Sequence, residues 1–370
     1  MILGIDVSTY LEQQRISKQK YYKGGKEVDP FELFKNNGVT YIRTRVWNNP
    51  YSESGEPYLG GTCDVNNFIE LATKLKKYGF HHILDFHYSD FWCDPSKQFL
   101  PKAWQGLSFE EVLRELRKFT IESLTKIKKA GIEIDYVQPG NEITHGMLWP
   151  YAKLMGGEEK EASYDRFALS LNTAIEAIHE VYPSAKIILH LEQSYDQEAY
   201  RDILSNLFKR NVKIDVLGSS YYPFWHHGFD EYFANMDMVQ HEFHIPVMNI
   251  ELGYPFTTID YRVDDDGKPK HLVINADNID DYLKLMPYYP DKEGQAQFVR
   301  DFISLAKKHN LSGICFWEPL WVPGEGICWG SKAGQAYQND TSKDTRNEWA
   351  NQCLFDYEAN ALPALDYYKL

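Results

Sequence analysis

The sequence predicts an α/β protein built as a single closed (β/α)8 barrel, a TIM barrel, with long loops after the strands. Short β-rich runs alternate with longer segments of helical period, and eight strand candidates fit within the 370 residues. Strands that alternate with helices pair in parallel through right-handed crossovers, and eight of them favour a closed barrel over an open doubly wound sheet. No Gly-x-Gly-x-x-Gly or P-loop motif follows an early strand, which weakens the nucleotide-binding alternative.

The eight strand candidates are short apolar runs rich in β-branched residues. Runs of this kind are typical of strands that are buried on both faces, as in a parallel barrel. In chain order they are Leu3–Val7, Tyr41–Val46, His82–Phe86, Tyr136–Pro139, Lys186–Leu191, Val216–Ser219, Pro246–Ile250 and Ser312–Phe316.

The segments between these strands carry apolar residues every three or four positions, which predicts amphipathic helices. Ser108 and Glu111 form a capping-box pattern, and Gly38, Gly79 and Gly131 stand where left-handed helix ends are expected. The predicted helices are Val65–Tyr78, Phe109–Lys129, Tyr164–Val181, Ala199–Phe208, Tyr232–Phe243 and Gln295–His309.

The chain carries no linker, repeat or low-complexity tract, so residues 1–370 are predicted to form one catalytic domain. The length beyond a minimal barrel falls into loops after strands, around 48–63, 88–107, 252–290 and 319–352. Because these loops build the active site of a (β/α)8 barrel, the insertions predict the walls of a substrate cleft.

The composition excludes several classes of partner. A net charge of −14 argues against nucleic-acid binding, and no apolar stretch is long enough for a membrane span. Five scattered cysteines do not make a disulfide framework, and the chain as written starts without a signal peptide. We therefore expect a cytoplasmic protein, or a secreted one if a signal was removed, and a monomer. The aromatic content of 15%, with nine Trp, exceeds what core packing requires.

Two glutamates follow the predicted fourth and seventh strands. Glu142 ends the run Pro139-Gly140-Asn141-Glu142, and Glu251 ends Asn249-Ile250-Glu251. These strands lie across the barrel from each other, so the two carboxylates can face one another over its mouth. A retaining glycosidase needs such a pair, about 5–5.5 Å apart, as acid/base and nucleophile.

Other strand ends supply candidate supporting groups. Arg43 and Arg45 lie on the second strand, and the one that points inward can hold the nucleophile ionised. Trp317, after the eighth strand, offers a flat face for a sugar ring. The remaining candidates are His87, Ser89, Asp90, Trp92, Tyr221, Tyr222 and Glu318, and Trp47, Trp149 and Trp321 also follow strands at the face where sugars would stack.

Together these motifs resemble the family 53 glycoside hydrolases, the endo-β-1,4-galactanases, in order and over nearly the whole chain. The matching segments are Gly4-Ile5-Asp6-Val7-Ser8, Ile42-Arg43-Thr44-Arg45-Val46-Trp47, Asp85-Phe86-His87-Tyr88-Ser89-Asp90-Phe91-Trp92, Gly140-Asn141-Glu142-Ile143, Ser220-Tyr221-Tyr222-Pro223-Phe224, Phe316-Trp317-Glu318-Pro319 and Asn351-Gln352-Cys353-Leu354-Phe355-Asp356.

The resemblance implies Glu142 as acid/base and Glu251 as nucleophile, the latter held by Arg45 and Tyr221. It implies that Asn141 bonds the 2-hydroxyl of the bound sugar. Arg45, His87, Tyr221 and Trp317 would complete the central subsite, and Asp90, Trp92 and Trp321 would lie along the cleft.

Some positions depart from the family pattern. Thr144 and His145 follow the acid/base where Arg or Ser and a small residue or Asn are usual, and Leu252 follows the nucleophile. A calcium-binding Asp of some bacterial members is replaced by Ala350, and the acidic run 264–267 lacks the alternation of an EF-hand loop. We therefore expect no cofactor and no calcium.

The predicted function is retaining hydrolysis of β-1,4-galactosidic bonds in galactan, type I arabinogalactan or derived galacto-oligosaccharides. Two alternatives remain open at this point: a related barrel glycosidase that acts on another β-linked glycan, since a fold does not choose its sugar, and a catalytically silent glycan-binding barrel.

Overall fold

Eight parallel strands close into a barrel in the computed structural model of the chain, which describes residues 1–262, 272–340 and 346–369. The strands are β1 (Ile2–Asp6), β2 (Tyr41–Val46), β3 (His81–Phe86), β4 (Tyr136–Pro139), β5 (Lys186–Leu191), β6 (Val216–Tyr221), β7 (Val247–Leu252) and β8 (Gly313–Phe316). Each strand pairs with its neighbours in chain order, and β8 pairs with β1. The prediction of a (β/α)8 barrel is confirmed.

Helices follow every strand and cover the outside of the barrel. The six predicted helices are present, and the capping box of Ser108 and Glu111 forms at the start of α4. The short helices early and late in the chain were not predicted. The full set is α1 (Tyr10–Ile16), α2 (Pro30–Asn36), α3 (Val65–Leu75), α4 (Phe109–Lys129), α5 (Lys160–Val181), α6 (Gln197–Lys209), α7 (Pro223–His226), α8 (Phe229–Phe243), α9 (Ile279–Tyr282), α10 (Lys292–Lys308), α11 (Lys332–Tyr337) and α12 (Pro363–Tyr367).

Smaller elements decorate this frame. Two short antiparallel hairpins pair Tyr21–Lys23 with Lys26–Val28 and Gly146–Met147 with Ala152–Lys153. Single 3₁₀ turns lie at Lys76–Tyr78, Lys102–Trp104, Ile143–His145, Gly157–Glu159 and Ala350–Gln352. None of the helices in the described ranges is both long and apolar enough to cross a bilayer.

The inside of the barrel has an apolar floor and a polar upper layer. The floor is one cluster of buried side chains from β3, β5, β6, β7 and β8, namely Ile83, Ile188, Val216, Met248, Ile250 and Cys315. Side chains two residues further along a strand point to the same face, so Asp85 and His190 lie above Ile83 and Ile188. This arrangement places Asp85 and His190 toward the carboxyl ends of the strands.

The seam between β1 and β8 is sealed by the C-terminal segment. The Tyr368 hydroxyl accepts from the backbone N–H of Phe316 at 2.9 Å and donates to the carbonyl of Gly4, so one side chain joins both strands. Asn37, at the end of α2, donates to the Leu365 carbonyl at 2.6 Å. These hydrogen bonds therefore hold α12 and the residue after it against the barrel.

All five cysteines lie in the described part of the chain, and each is buried with a free thiol, in keeping with the prediction from their spacing. Burial raises the pKa of every one of these thiols; that of Cys315 is raised to about 12.

Candidate active site

The carboxyl ends of the strands open into a cleft of about 280 Å³. Glu142, just after β4, and Glu251, near the end of β7, both line it. The aromatic side chains of the lining are Trp92, Tyr222, Trp225, Trp317, Trp321, Trp329 and Trp349. The cleft thus combines Glu142 and Glu251, at the ends of two strands, with a largely aromatic wall; Asp94, Asp340 and Glu348 also line it.

Glu251 has hydrogen bonds at both carboxyl oxygens. Arg43 donates through Nη1 to Oε1 at 2.9 Å, and the Tyr222 hydroxyl donates to Oε2 at 2.8 Å. Burial raises the pKa of Glu251 to about 7, while the Arg43 charge and the Tyr222 hydrogen bond oppose that rise. These two donors favour the ionised form of Glu251.

Glu142 has a different environment. Its backbone is left-handed, with φ of 49°, and its Oε1 accepts from the Ser220 hydroxyl at 2.7 Å. In the described part of the chain no Lys or Arg pairs with this carboxyl. Burial raises its pKa well above the usual value, and the carboxylates of Glu251 and Glu192 raise it further. Glu142 is therefore suited to hold a proton while Glu251 is ionised.

Arg43 is the centre of the polar layer under the cleft. Besides Glu251, it donates to Asp6 at 2.9 Å, to Asp85 at 2.8 Å, and to the amide oxygens of Gln138 and Asn141. The guanidinium is 1% exposed, so these charge-assisted bonds form away from water, where they are strong.

Arg45 also points inward, because residues two apart on a strand share a face. The expectation that it holds Glu251 is wrong: its Nη1 pairs with Glu318 at 2.7 Å, and its Nη2 donates to the Gly60 carbonyl at 2.9 Å. Its guanidinium lies 4.1 Å from the ring centroid of Trp92. Arg45 lines the cleft beside Trp92, and it does not contact the nucleophile.

Tyr221 does not belong to the cleft, which corrects the prediction for this residue. Its side chain is fully buried on the outer face of the barrel, where its ring stacks on Phe302 at 5.4 Å and its hydroxyl donates to the His227 carbonyl at 3.0 Å. Tyr222, one residue later, points inward and takes the role expected of Tyr221. The strand runs two residues further than predicted, and its register with β7 shifts between Ser219 and Ser220.

Asp90 is likewise outside the cleft lining. Its buried carboxylate accepts from the Asn49 N–H at 3.0 Å, from the Lys102 N–H at 2.7 Å and from Lys102 Nζ at 2.8 Å. Asp90 therefore connects the loop after β2, through Asn49, with the loop after β3, through Lys102. The prediction that Trp47 lies at the face where sugars stack is also wrong, because Trp47 is 0% exposed and its ring packs against Phe91 at 5.0 Å.

Of the other candidates, His87, Trp92, Asn141, Trp317 and Trp321 line the cleft, whereas Ser89, Glu318 and Trp149 do not. His87 accepts at Nδ1 from the Cys93 N–H at 3.0 Å, so Nε2 carries the proton toward Asp85 at 3.1 Å. Asn141 accepts from Arg43 and donates to the Cys93 carbonyl at 2.9 Å. Trp321 is 3% exposed and offers less surface than Trp317.

Several residues of the site were not predicted from the sequence. Ser220 and His190 lie directly behind Glu142, and strand alternation counted forward from the floor residue Ile188 identifies His190 as inward-facing. Trp225 and Trp349 extend the aromatic wall beyond Tyr222. These two follow from loop geometry, and no pattern in the sequence marks them.

The described residues contain no group of three or more His, Cys, Asp or Glu side chains arranged to hold a metal ion. The acidic run 264–267 lies outside the described residues, so the expectation that no calcium binds stays a prediction.

Comparison with known proteins gives consistent matches over the chain. The model of the family described as "Glycosyl hydrolase family 53" matches residues 2–368. An endo-β-1,4-galactanase of Bacillus subtilis is 32% identical over 100% of this chain and 85% of its own length. An arabinogalactan endo-β-1,4-galactanase of Cellvibrio japonicus is 28% identical over 99% of this chain and 90% of its own. The solved GH53 catalytic domain of Ignisphaera aggregans superposes with a TM-score of 0.87 at 34% identity, covering 100% of this chain and 95% of that domain.

Proposed function

The chain belongs to glycosyl hydrolase family 53, and on that premise we propose that it is an endo-β-1,4-galactanase in which Glu251 is the nucleophile and Glu142 the acid/base. The observation that carries these roles is the unequal surroundings of two glutamates in one cleft. Arg43 and Tyr222 donate to Glu251, whereas Glu142 accepts from Ser220 alone and has no cation beside it among the described residues.

The reaction proceeds by two displacements with retention of configuration. Glu251 attacks the anomeric carbon of the galactosyl unit while Glu142 gives its proton to the departing glycosidic oxygen. Glu142 then takes a proton from water, whose oxygen attacks the same carbon and releases Glu251. Each carboxyl group ends the cycle in its starting protonation state.

The surrounding residues support sugar binding. Trp317 presents an indole face at the cleft, and Asn141 keeps one amide hydrogen beyond the one it gives to the Cys93 carbonyl. We assign that hydrogen to the 2-hydroxyl of the bound galactose, a contact that strengthens in the transition state. A neutral polysaccharide needs no basic surface, and the net charge of −14 fits such a substrate.

The roles of the two glutamates are tested by azide rescue. With an activated aryl galactobioside, Glu142→Ala plus azide should yield the β-galactobiosyl azide, since the nucleophile still forms the intermediate. Glu251→Ala plus azide should yield the α-azide by direct displacement. Identical products from both variants, or full activity of either variant on galactan without azide, would show the assignment to be wrong.

The substrate is tested with a panel of galactan, xylan, mannan and β-glucan. We expect hydrolysis of galactan, with the β-anomer appearing first in proton NMR of the fresh products. Faster cleavage of another glycan would assign the enzyme to a different sugar, and binding of galactan without turnover would make it a lectin-like barrel.

A further inference from the structure

A chain of hydrogen bonds leads from Arg43 to the back of Glu142. It passes through Gln138, His190 and Ser220, all of them buried, and none of them takes part in the two displacements described above. The direction of each bond follows from which groups can only donate, and the chain starts at an arginine, which has no acceptor.

The first step fixes the amide of Gln138. Arg43 donates through Nε and Nη2 to one atom of this amide, at 3.2 and 3.1 Å, and that atom must therefore be the oxygen. The amide nitrogen then faces four groups, of which the nearest are the carboxylate of Asp85 at 2.6 Å and Nδ1 of His190 at 3.0 Å; the Gly140 carbonyl and the Asn141 amide oxygen lie further away, at 3.1 and 3.3 Å. Gln138 thus acts as a donor toward His190.

The second step fixes the tautomer of His190. Two groups that can only donate face Nδ1, namely the Gln138 amide nitrogen and the backbone N–H of Glu142 at 3.3 Å. The Asn141 amide oxygen also lies 3.0 Å from Nδ1, but a proton there would leave both donors facing an N–H. Nδ1 is therefore an acceptor and Nε2 carries the proton, which is directed at the Ser220 hydroxyl at 2.8 Å.

The third step fixes the Ser220 hydroxyl. Its oxygen accepts from His190, so its own proton goes to Oε1 of Glu142 at 2.7 Å. Within the described ranges, Oε2 of Glu142 has no hydrogen-bond partner, while the side chain lines the cleft. Oε1 of Glu142 is thus hydrogen-bonded to Ser220, and Oε2 is left to contact the substrate.

We propose that Ser220 is a positioning residue for the acid/base: the chain from Arg43 through Gln138 and His190 directs its hydroxyl at Oε1 of Glu142, so that the transferable proton is held on Oε2. This inference rests on the proposed function. It makes Arg43 the common origin of both roles, because the same guanidinium donates directly to Glu251.

Several other groups act on Glu142 electrostatically. They are Glu251 on β7, Glu192 after β5 and Asp94 in the loop after β3, and Glu142 in turn raises the pKa of Tyr222 and Tyr200. Burial and the nearby Arg43 charge lower the pKa of His190 well below its usual value, so this ring stays neutral over the working range. The Ser220 hydrogen bond lowers the pKa of Glu142 against the carboxylates, and its loss should raise that pKa.

The test is Ser220→Ala, with Ser219→Ala as the matched control. Ser219 is equally buried on the same strand, but its hydroxyl bonds to Tyr232 on the outer face at 2.8 Å. The measurement is kcat/KM for a phenyl and for a 2,4-dinitrophenyl β-1,4-galactobioside, because only the poorer leaving group needs the general acid. Ser220→Ala should lose about 10- to 100-fold on the phenyl substrate and less than about 3-fold on the dinitrophenyl one.

The pH profile adds a readout that a simple packing defect would not move. Raising the pKa of Glu142 shifts the basic limb of kcat/KM upward, by about one pH unit for one lost hydrogen bond. Ser219→Ala should keep both the rates and the limb. Equal losses on the two substrates with an unmoved limb would overturn the proposal.

The tautomer can be measured in the unaltered protein. In nitrogen-15 NMR of histidine-labelled enzyme, His190, identified by the signal that His190→Asn removes, should be neutral and protonated at Nε2. A proton on Nδ1 would overturn the proposal. A fully active Glu142→Gln would instead refute the proposed function, whereas an inactive Glu142→Gln beside an unaffected Ser220→Ala overturns only the role of Ser220.

Discussion

Removing the Tyr222 hydroxyl should shift the acidic limb of the pH–rate profile. Tyr222→Phe keeps the ring, which packs edge-on against Trp349 at 4.9 Å, and deletes only the 2.8 Å hydrogen bond to Oε2 of Glu251. A hydrogen bond to a charged group contributes about 1.5–3 kcal/mol, and one pKa unit corresponds to about 1.4 kcal/mol. The pKa of Glu251 should therefore rise by about 1–2 units.

The sign follows from the role of Glu251, which must be ionised to attack. A raised pKa leaves more of it protonated at a given low pH, so the acidic limb of kcat/KM moves up by about 1–2 pH units. The assay is kcat/KM on an aryl β-1,4-galactobioside between about pH 4 and 10, because a limb at about 7 that moves up by about 1–2 units lies near pH 8–9.

Tyr221→Phe is the matched control, because it loses a hydroxyl that donates to the His227 carbonyl on the outer face. Its limb should stay in place. An unmoved limb in Tyr222→Phe, or an equal shift in both variants, would refute the reasoning that Tyr222 stabilises the ionised nucleophile.

Three further changes test the surroundings. Arg43→Lys should lower kcat/KM by about 100-fold or more with the circular dichroism spectrum retained, because one ammonium cannot replace a guanidinium that serves five acceptors; near-normal activity would contradict this. Trp317→Ala should lower kcat/KM about 10-fold through lost stacking. If kcat/KM fell by the same factor for substrates of every chain length, Trp317 would have a packing role instead. Asp90→Ala should lower the free energy of unfolding by about 2–4 kcal/mol in urea titration, because it removes the contacts with Lys102, and it should leave KM unchanged. A raised KM with unchanged stability would show instead that Asp90 acts in the cleft.

The barrel and its two glutamates could be predicted because both follow from local pattern. Eight apolar runs separated by amphipathic segments define the fold, and the carboxyl end of a strand defines where Glu142 and Glu251 emerge. The bounds of the strands differ from the prediction by two residues at most. Side-chain direction tolerates no such error, since an offset of one residue turns a side chain to the other face.

Tyr221 and Tyr222 show this limit. Two tyrosines in succession fit either face, and only the length of β6 and its register shift beside β7 decide which one reaches Glu251. Arg43 and Arg45 show a second limit, because both point inward and differ in depth by roughly 7 Å along the strand. How deep a side chain lies inside a barrel depends on how far all eight strands are staggered. This stagger cannot be predicted from any single segment of the sequence.

The seam sealed by Tyr368 bears on how the molecule is made. Because β1 needs both β8 and this hydroxyl to complete its pairing, one edge of β1 stays uncovered until the residues of β8 and Tyr368 have been made. Closure joins contacts of very large sequence separation, which slows folding and prolongs the exposure of an open sheet edge. Synthesis of this enzyme should therefore depend on protection of the nascent chain, and an incomplete chain that stops before residue 368 should be prone to aggregate.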